Sequence, residues 1–146
     1  MPRCTGRADR GGGAMADTIR VLLVDDEPLF LESMGKVLKL RGYQVGAVTG
    51  GVEALEELRF GRYDVVVLDL RMPGLDGIAT LERIRKQDAF LPVILLSGHA
   101  DMSKAVEAMQ YGAVDYLLKP APVEKLCERI RSALEHRRIL EELEGR

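Results

Sequence analysis

A chain of 146 residues, 47% hydrophobic and 30% charged, has the makeup of one soluble globular domain. Its 21 Lys and Arg stand against 23 Asp and Glu, a formal net charge of −2, which leaves no global field to draw in nucleic acid or an acidic membrane surface. The longest apolar runs, such as Val65 to Leu68 and Val93 to Leu96, fall far short of the roughly 18 residues that cross a membrane. The first residues lack the apolar centre of a secretory signal, so the expectation is a cytoplasmic protein with no membrane or nucleic-acid partner for this domain.

Residues 1–18 contain Gly11-Gly12-Gly13 and little that could pack, and read as a disordered leader or extension. Two cysteines make no framework, and Cys4 and Cys127 both read as structurally quiet. From Ile19 onward, short apolar runs alternate with stretches of helical period. The first run, Ile19 to Val24, leads to a helix from about Pro28, where a missing N–H costs nothing, to a stop at Gly42. Tyr43 to Val48 leads to a helix from about Val52 to Gly61, and Tyr63 to Leu68 to one from about Gly77. Leu91 to Leu96 precedes a helix from about Met102 to Gly112, whose Ala105, Ala108 and Met109 form a small apolar face. Ala113 to Leu118 precedes a last helix from about Pro122.

In that last helix Val123, Leu126, Cys127, Ile130 and Leu134 make a core-facing stripe. Ile139, Leu140 and Leu143 continue apolar, but from Leu134 to Leu140 the helix turns to about 240° from its starting face, so these cannot all rest on one sheet. Residues 136–146 are therefore read as a helical extension or linker. Two uses stay open, a homodimer or signalling contact through this C-terminal face and a frayed tail. Residues 19–135 form the domain proper. Five β/α units joined by right-handed crossovers predict an α/β, doubly wound, five-stranded parallel sheet of order 2-1-3-4-5, flavodoxin-like.

Ligands of open α/β sheets bind beyond the carboxyl ends of the strands. There the chain carries Asp25, Asp26 and Glu27 after the first run, Asp69 after the third, Ser97 after the fourth and Lys119 after the fifth. Carboxylates that converge repel one another unless a cation is shared. Mg²⁺ takes oxygen ligands, only one or two carboxylates among them, and leaves room for phosphate oxygens; without a Cys/His cluster a zinc site is excluded. An aspartate can itself attack phosphorus, and Asp69, alone at the end of the central run, is the best candidate acceptor. Two other readings fare worse. A phosphohydrolase of the aspartate type would place Asp-x-Asp after the first run, where Asp25-Asp26-Glu27-Pro28 stands, and a flavin binder would not place acids against a phosphate.

Asp25-Asp26-Glu27-Pro28, Leu68-Asp69-Leu70-Arg71-Met72-Pro73-Gly74, Ser97-Gly98 and Asp115-Tyr116-Leu117-Leu118-Lys119-Pro120, in this order, resemble the receiver domain of two-component response regulators. The resemblance implies a phosphoacceptor at Asp69, with Asp25, Asp26, Asp69 and the backbone carbonyl of Arg71 around Mg²⁺. It implies that Ser97 and Lys119 contact the phosphoryl group, that Ser97 and Tyr116 switch together, and that the Lys119–Pro120 bond is cis. It also implies a sensor histidine kinase or phosphotransfer protein as donor, and a signalling protein, not an enzyme, that catalyses only its own phosphorylation and dephosphorylation. Glu27 is expected to touch metal through water at most. Arg71 and His99 occupy positions expected to tune the lifetime of the phosphoryl group.

Overall fold

A computed structural model describes residues 18–98 and 102–145. Five parallel strands, β1 (Arg20–Val24), β2 (Gln44–Val48), β3 (Val65–Leu68), β4 (Val93–Ser97) and β5 (Asp115–Leu118), alternate with five helices. These are α1 (Pro28–Leu40), α2 (Gly51–Phe60), α3 (Gly77–Gln87), α4 (Met102–Gln110) and α5 (Val123–Leu143). The strand order is β2-β1-β3-β4-β5, as the alternating pattern predicts.

Strand phase sorts the core into two layers, because successive side chains point to opposite faces. Val21, Leu23, Val65, Val67, Ile94, Leu96 and Leu117 join Leu38 of α1 and Leu126 and Ile130 of α5. Leu22, Val24, Val66, Leu68, Val93 and Leu95 join residues of the other three helices, among them Ala54, Leu81, Ile84, Ala105 and Ala108. β1, β3 and β4 are therefore buried on both faces from Val21, Val65 and Val93 onward, the reason their sequences read as unbroken Val, Ile and Leu. The edge strand β2 is half exposed, and its sequence is correspondingly less apolar.

The helix ends follow local chemistry. Pro28 opens α1, and Gly42 and Gly112 take the left-handed conformation just beyond α1 and α4. Gly61 ends α2 in an extended conformation. Asp76 caps α3, its Oδ1 accepting from the Ala79 N–H at 2.9 Å. Arg85, near the end of α3, donates to the carbonyls of Leu91 at 2.6 Å and Gly112 at 3.0 Å, tying the entry to β4 to the turn before β5.

Two expectations need adjustment. Pro122 is the N-cap of α5, not its first turn, because its ψ of 144° is extended. Met109 is 42% exposed; it stands about 70° from the centre of the face that buries Ala105 and Ala108, at the rim of the contact. α5 runs unbroken through Leu143, and the late apolar residues divide. Ile139 and Leu143 are exposed, whereas Leu140 is half buried, because seven residues bring it back to within about 20° of the face of buried Ala133. Arg137 braces this stretch, lying 3.3 Å from Asp88 and 2.9 Å from Glu141.

Candidate functional site

Register delivers the acids to one place. Val24 pairs with Leu68 across β1 and β3, so Asp25 and Asp69, each one residue further on, stand side by side. The Asp69 N–H donates to the Val24 carbonyl at 2.9 Å and the Asp25 N–H to the Val48 carbonyl at 3.2 Å, fixing both backbones. Ser97 pairs with Leu118, and the Lys119 N–H donates to the Ser97 carbonyl at 2.8 Å, bringing the lysine to the same edge. Asp25, Asp69 and Lys119 are in phase with Leu23, Val67 and Leu117, whose side chains lie on the α1 and α5 side. Ser97 is in phase with Leu95 on the other side, where Tyr116 also packs.

Asp25, Asp26 and Asp69 each offer a carboxylate oxygen within 4.8 Å of the others. Asp25 and Asp69 are buried and Asp26 is exposed. One Asp25 oxygen accepts from the Glu27 N–H at 2.9 Å and the other from Lys119 Nζ at 2.6 Å. Lys119 Nζ lies 4.0 Å from Asp69 Oδ2 and 3.7 Å from Glu27 Oε1. Asp69 Oδ1 accepts from the Arg71 N–H at 3.3 Å, which sets the Arg71 peptide against the pocket while its side chain is exposed.

The charges do not cancel. Burial above all, then the charges of Asp25 and Asp26, push the Asp69 carboxyl up to about 6, against the pull of Lys119 and the Arg71 N–H. Burial works against the Lys119 ammonium, but its hydrogen bond to Asp25 and the charges of Asp69, Asp25 and Glu27 more than offset it and raise its pKa. Three carboxylates around one ammonium leave an excess of negative charge that a small hard cation would relieve. The donor set is all oxygen, one oxygen from each acid lying within 4.8 Å of the others, and so fits Mg²⁺, which takes a few carboxylates and keeps waters.

Glu27 ion-pairs with Lys119 and stands outside the acid trio. Ser97 is fully buried at the end of β4. The Tyr116 hydroxyl donates to Met102 Sδ at 2.6 Å in an exposed contact at the start of α4. The Lys119–Pro120 peptide is cis. His99 and Cys4 lie outside the described residues, and Cys127 is buried in the core.

Two contributors carry little sequence signal. Gly77 opens α3 directly against the end of β3: a Cβ there would lie 2.5 Å from Leu70 Cα and 2.8 Å from the Asp69 carbonyl oxygen. Glycine is required for close approach, so that α3 can seat beneath the acid pocket. Phe30, in the first turn of α1, lies with its ring centroid 4.6 Å from Lys119 Nζ. A half-buried aromatic at that point reads from sequence as core alone.

A sheet of order β2-β1-β3-β4-β5 with acids and a lysine gathered at its carboxyl edge is the build of a signalling receiver. The family model described as the response regulator receiver domain matches residues 21–131, and the chain belongs to that family. The C4-dicarboxylate transport transcriptional regulatory protein DctD of Pseudomonas aeruginosa is 43% identical over 122 residues, 83% of this chain and 26% of DctD. The transcriptional regulatory protein ZraR of Escherichia coli O157:H7 is 36% identical over 125 residues, 86% of this chain and 28% of ZraR. The chain thus spans about a quarter of the length of these curated relatives. A response regulator receiver domain protein from Clostridium thermocellum has the same fold at a TM-score of 0.79 and 32% identity, covering 84% of this chain and 98% of that one. Among the described residues no helix is long and apolar enough to cross a membrane.

Proposed function

We propose that this chain is the phosphoacceptor of a two-component response regulator, taking a phosphoryl group onto Asp69 from a phosphohistidine of a sensor histidine kinase or phosphotransfer protein. The observation that carries the reading is the environment of Asp69: a buried carboxylate beside two other acids, 4.0 Å from an ammonium and poised near pH 6. A carboxylate oxygen of Asp69 attacks phosphorus, a P–O bond forms, and the P–N bond of the donor breaks with its electron pair leaving on the imidazole. Asp26, Asp69 and the Arg71 carbonyl would hold Mg²⁺, with Asp25 setting its position. When bound, the ion supplies positive charge against the phosphoryl oxygens and offsets the acids.

Lys119 supplies a second cation to the phosphoryl oxygens and the Ser97 hydroxyl a hydrogen bond. Ser97 and Tyr116, on the same side of the sheet, form the switch: a hydroxyl drawn toward a phosphorylated Asp69 vacates space next to the Tyr116 ring, and inward rotation of the ring breaks its bond to Met102. Phosphorylation then biases two pre-existing conformations. Arg71, with its exposed side chain, screens the acyl phosphate from water. Residues 19–135 make up the receiver, and the end of α5 carries the signal onward or pairs with a second copy. The protein works in the cytoplasm, turns over no separate substrate, and binds neither nucleic acid nor membrane through this domain. By likeness to DctD and ZraR the output is control of transcription.

The test uses a labelled phosphohistidine donor. Label passes to the wild type when Mg²⁺ is present and does not pass to Asp69→Asn; equal labelling of the variant would overturn the assignment.

A further inference from the structure

The Lys119 ammonium is held from two sides by different chemistry. On one side are Asp25 at 2.6 Å, Glu27 at 3.7 Å and Asp69 at 4.0 Å. On the other is the ring of Phe30, its centroid 4.6 Å away, well within cation–π range. We propose that Phe30 is a positioning residue for phosphoryl acceptance, its ring face holding the Lys119 ammonium at the acid pocket while leaving that ammonium's N–H donors free for oxygen ligands. The inference rests on the receiver reading above.

The placement follows from chain geometry. Lys119 is in phase with Leu117, on the side of the sheet that α1 covers. α1 starts at Pro28, immediately after the acidic turn, so its first turn overhangs the same edge, and Phe30 packs there against the core. Lys119 is 23% exposed at its side chain.

An ammonium has three N–H donors. Asp25 engages one at hydrogen-bonding distance, and Glu27 and Asp69 lie beyond that distance. A fourth carboxylate in place of the ring would hold the ammonium just as near, but it would take up another donor and add to the negative charge that already pushes Asp69 toward its neutral form. An aromatic face attracts the cation electrostatically with neither effect. An aliphatic side chain of similar size fills the space without the attraction and leaves the lysine free to swing into water. Lys119 must reach an oxygen carried by Asp69 during transfer, so the cost of a wandering ammonium falls on the rate.

The test is phosphorylation of the whole chain by phosphoramidate, from which the phosphoryl group passes to Asp69 and ammonia leaves, followed by intact mass at saturating donor and Mg²⁺. Phe30→Leu is expected to lower the maximal rate by about 5- to 10-fold, the size of a partly desolvated cation–π contact, and Phe30→Tyr to restore it to within about 2-fold of wild type. An independent reading needs neither metal nor donor: in the wild type the Lys119 ε-CH₂ proton resonances are shifted upfield by the ring, and they return to ordinary positions in Phe30→Leu. Equal rates for wild type and Phe30→Leu, or a rate lost in both variants, overturns the role of Phe30. Should Phe30→Leu not fold, Lys119 resonances at ordinary positions in the wild type overturn it as well. A wild type that gains no phosphoryl group overturns the receiver reading itself, a result separate from either of these.

Discussion

With divalent metal removed, Asp69→Asn unfolds at a higher temperature than the wild type at pH 7.5. Burial and the neighbouring acids hold the folded-state pKa of Asp69 at about 6, against 3.8 for an ordinary aspartate. A carboxyl whose pKa is raised on folding destabilises the fold when it is ionised. That cost is complete above about pH 6, shrinks as pH falls through 6, and is gone below the unfolded value. At about 1.4 kcal/mol per pH unit the cost is about 3 kcal/mol at neutral pH, and the asparagine, which still accepts from the Arg71 N–H, recovers about 1–3 kcal/mol of it. Thermal melts in chelator at pH 7.5 and 5 check this. The advantage of the variant narrows at the lower pH, and Mg²⁺ raises the melting temperature of the wild type far more than that of the variant. Equal melting at both pH values would refute the strained carboxylate.

Lys119→Met moves stability in the opposite direction. Asp25 is 2% exposed and loses its 2.6 Å partner, and Asp69 loses the cation that restrains its pKa. Removing one member of a buried ion pair costs about 3–5 kcal/mol, and because the lysine is partly exposed the expected loss is about 2–4 kcal/mol in chelator at pH 7.5. The acid trio, relieved of a competing unit charge about 4 Å from Asp69, binds Mg²⁺ about 10-fold more tightly. Denaturant midpoints with and without metal, together with a Mg²⁺ titration, measure both changes. On the proposed function the rate of phosphoryl acceptance falls even though the metal is held more firmly, because metal and lysine would neutralise different oxygens. Unchanged stability and unchanged metal affinity would show that Lys119 plays no part in the charge balance.

Both expectations trace back to residues legible in the sequence. Val65 to Leu68 and Val93 to Leu96 announce strands covered on both faces, and the β/α alternation then places whatever follows each strand at one edge. Asp25, Asp69 and Lys119 meet there because register and strand phase agree, and both are set by the same apolar pattern that builds the core. Less legible was whatever depends on one element passing close over another. Phe30 reads as core because half of it is core; its second neighbour, the Lys119 ammonium, reaches it only because the fold puts α1 and the Lys119 side chain on the same side of the sheet. Gly77 reads as a turn residue after a capping Asp76, and only the seating of α3 against Leu70 shows why a side chain is excluded. Of the three late apolar residues Leu140 is the half-buried one, which the azimuth of Leu134 does not explain. Leu134 is itself at the rim, and Ala133, the buried residue directly before it, marks the face to which Leu140 returns. Glu27 lies outside the acid trio, and its 3.7 Å pairing with Lys119 depends on how far the lysine reaches back across the sheet.

The most direct measurement is residue-level mapping of the modified side chain. The 146-residue chain is incubated with acetyl phosphate in Mg²⁺ or in chelator, any acyl phosphate is reduced with borohydride, and the peptides are sequenced by fragmentation. The reduction mark is predicted at Asp69, in the Mg²⁺ sample alone. A mark at Asp25 or Asp26, or one formed equally well in chelator, would contradict an arrangement in which the other two acids serve the metal and Asp69 receives the phosphoryl group.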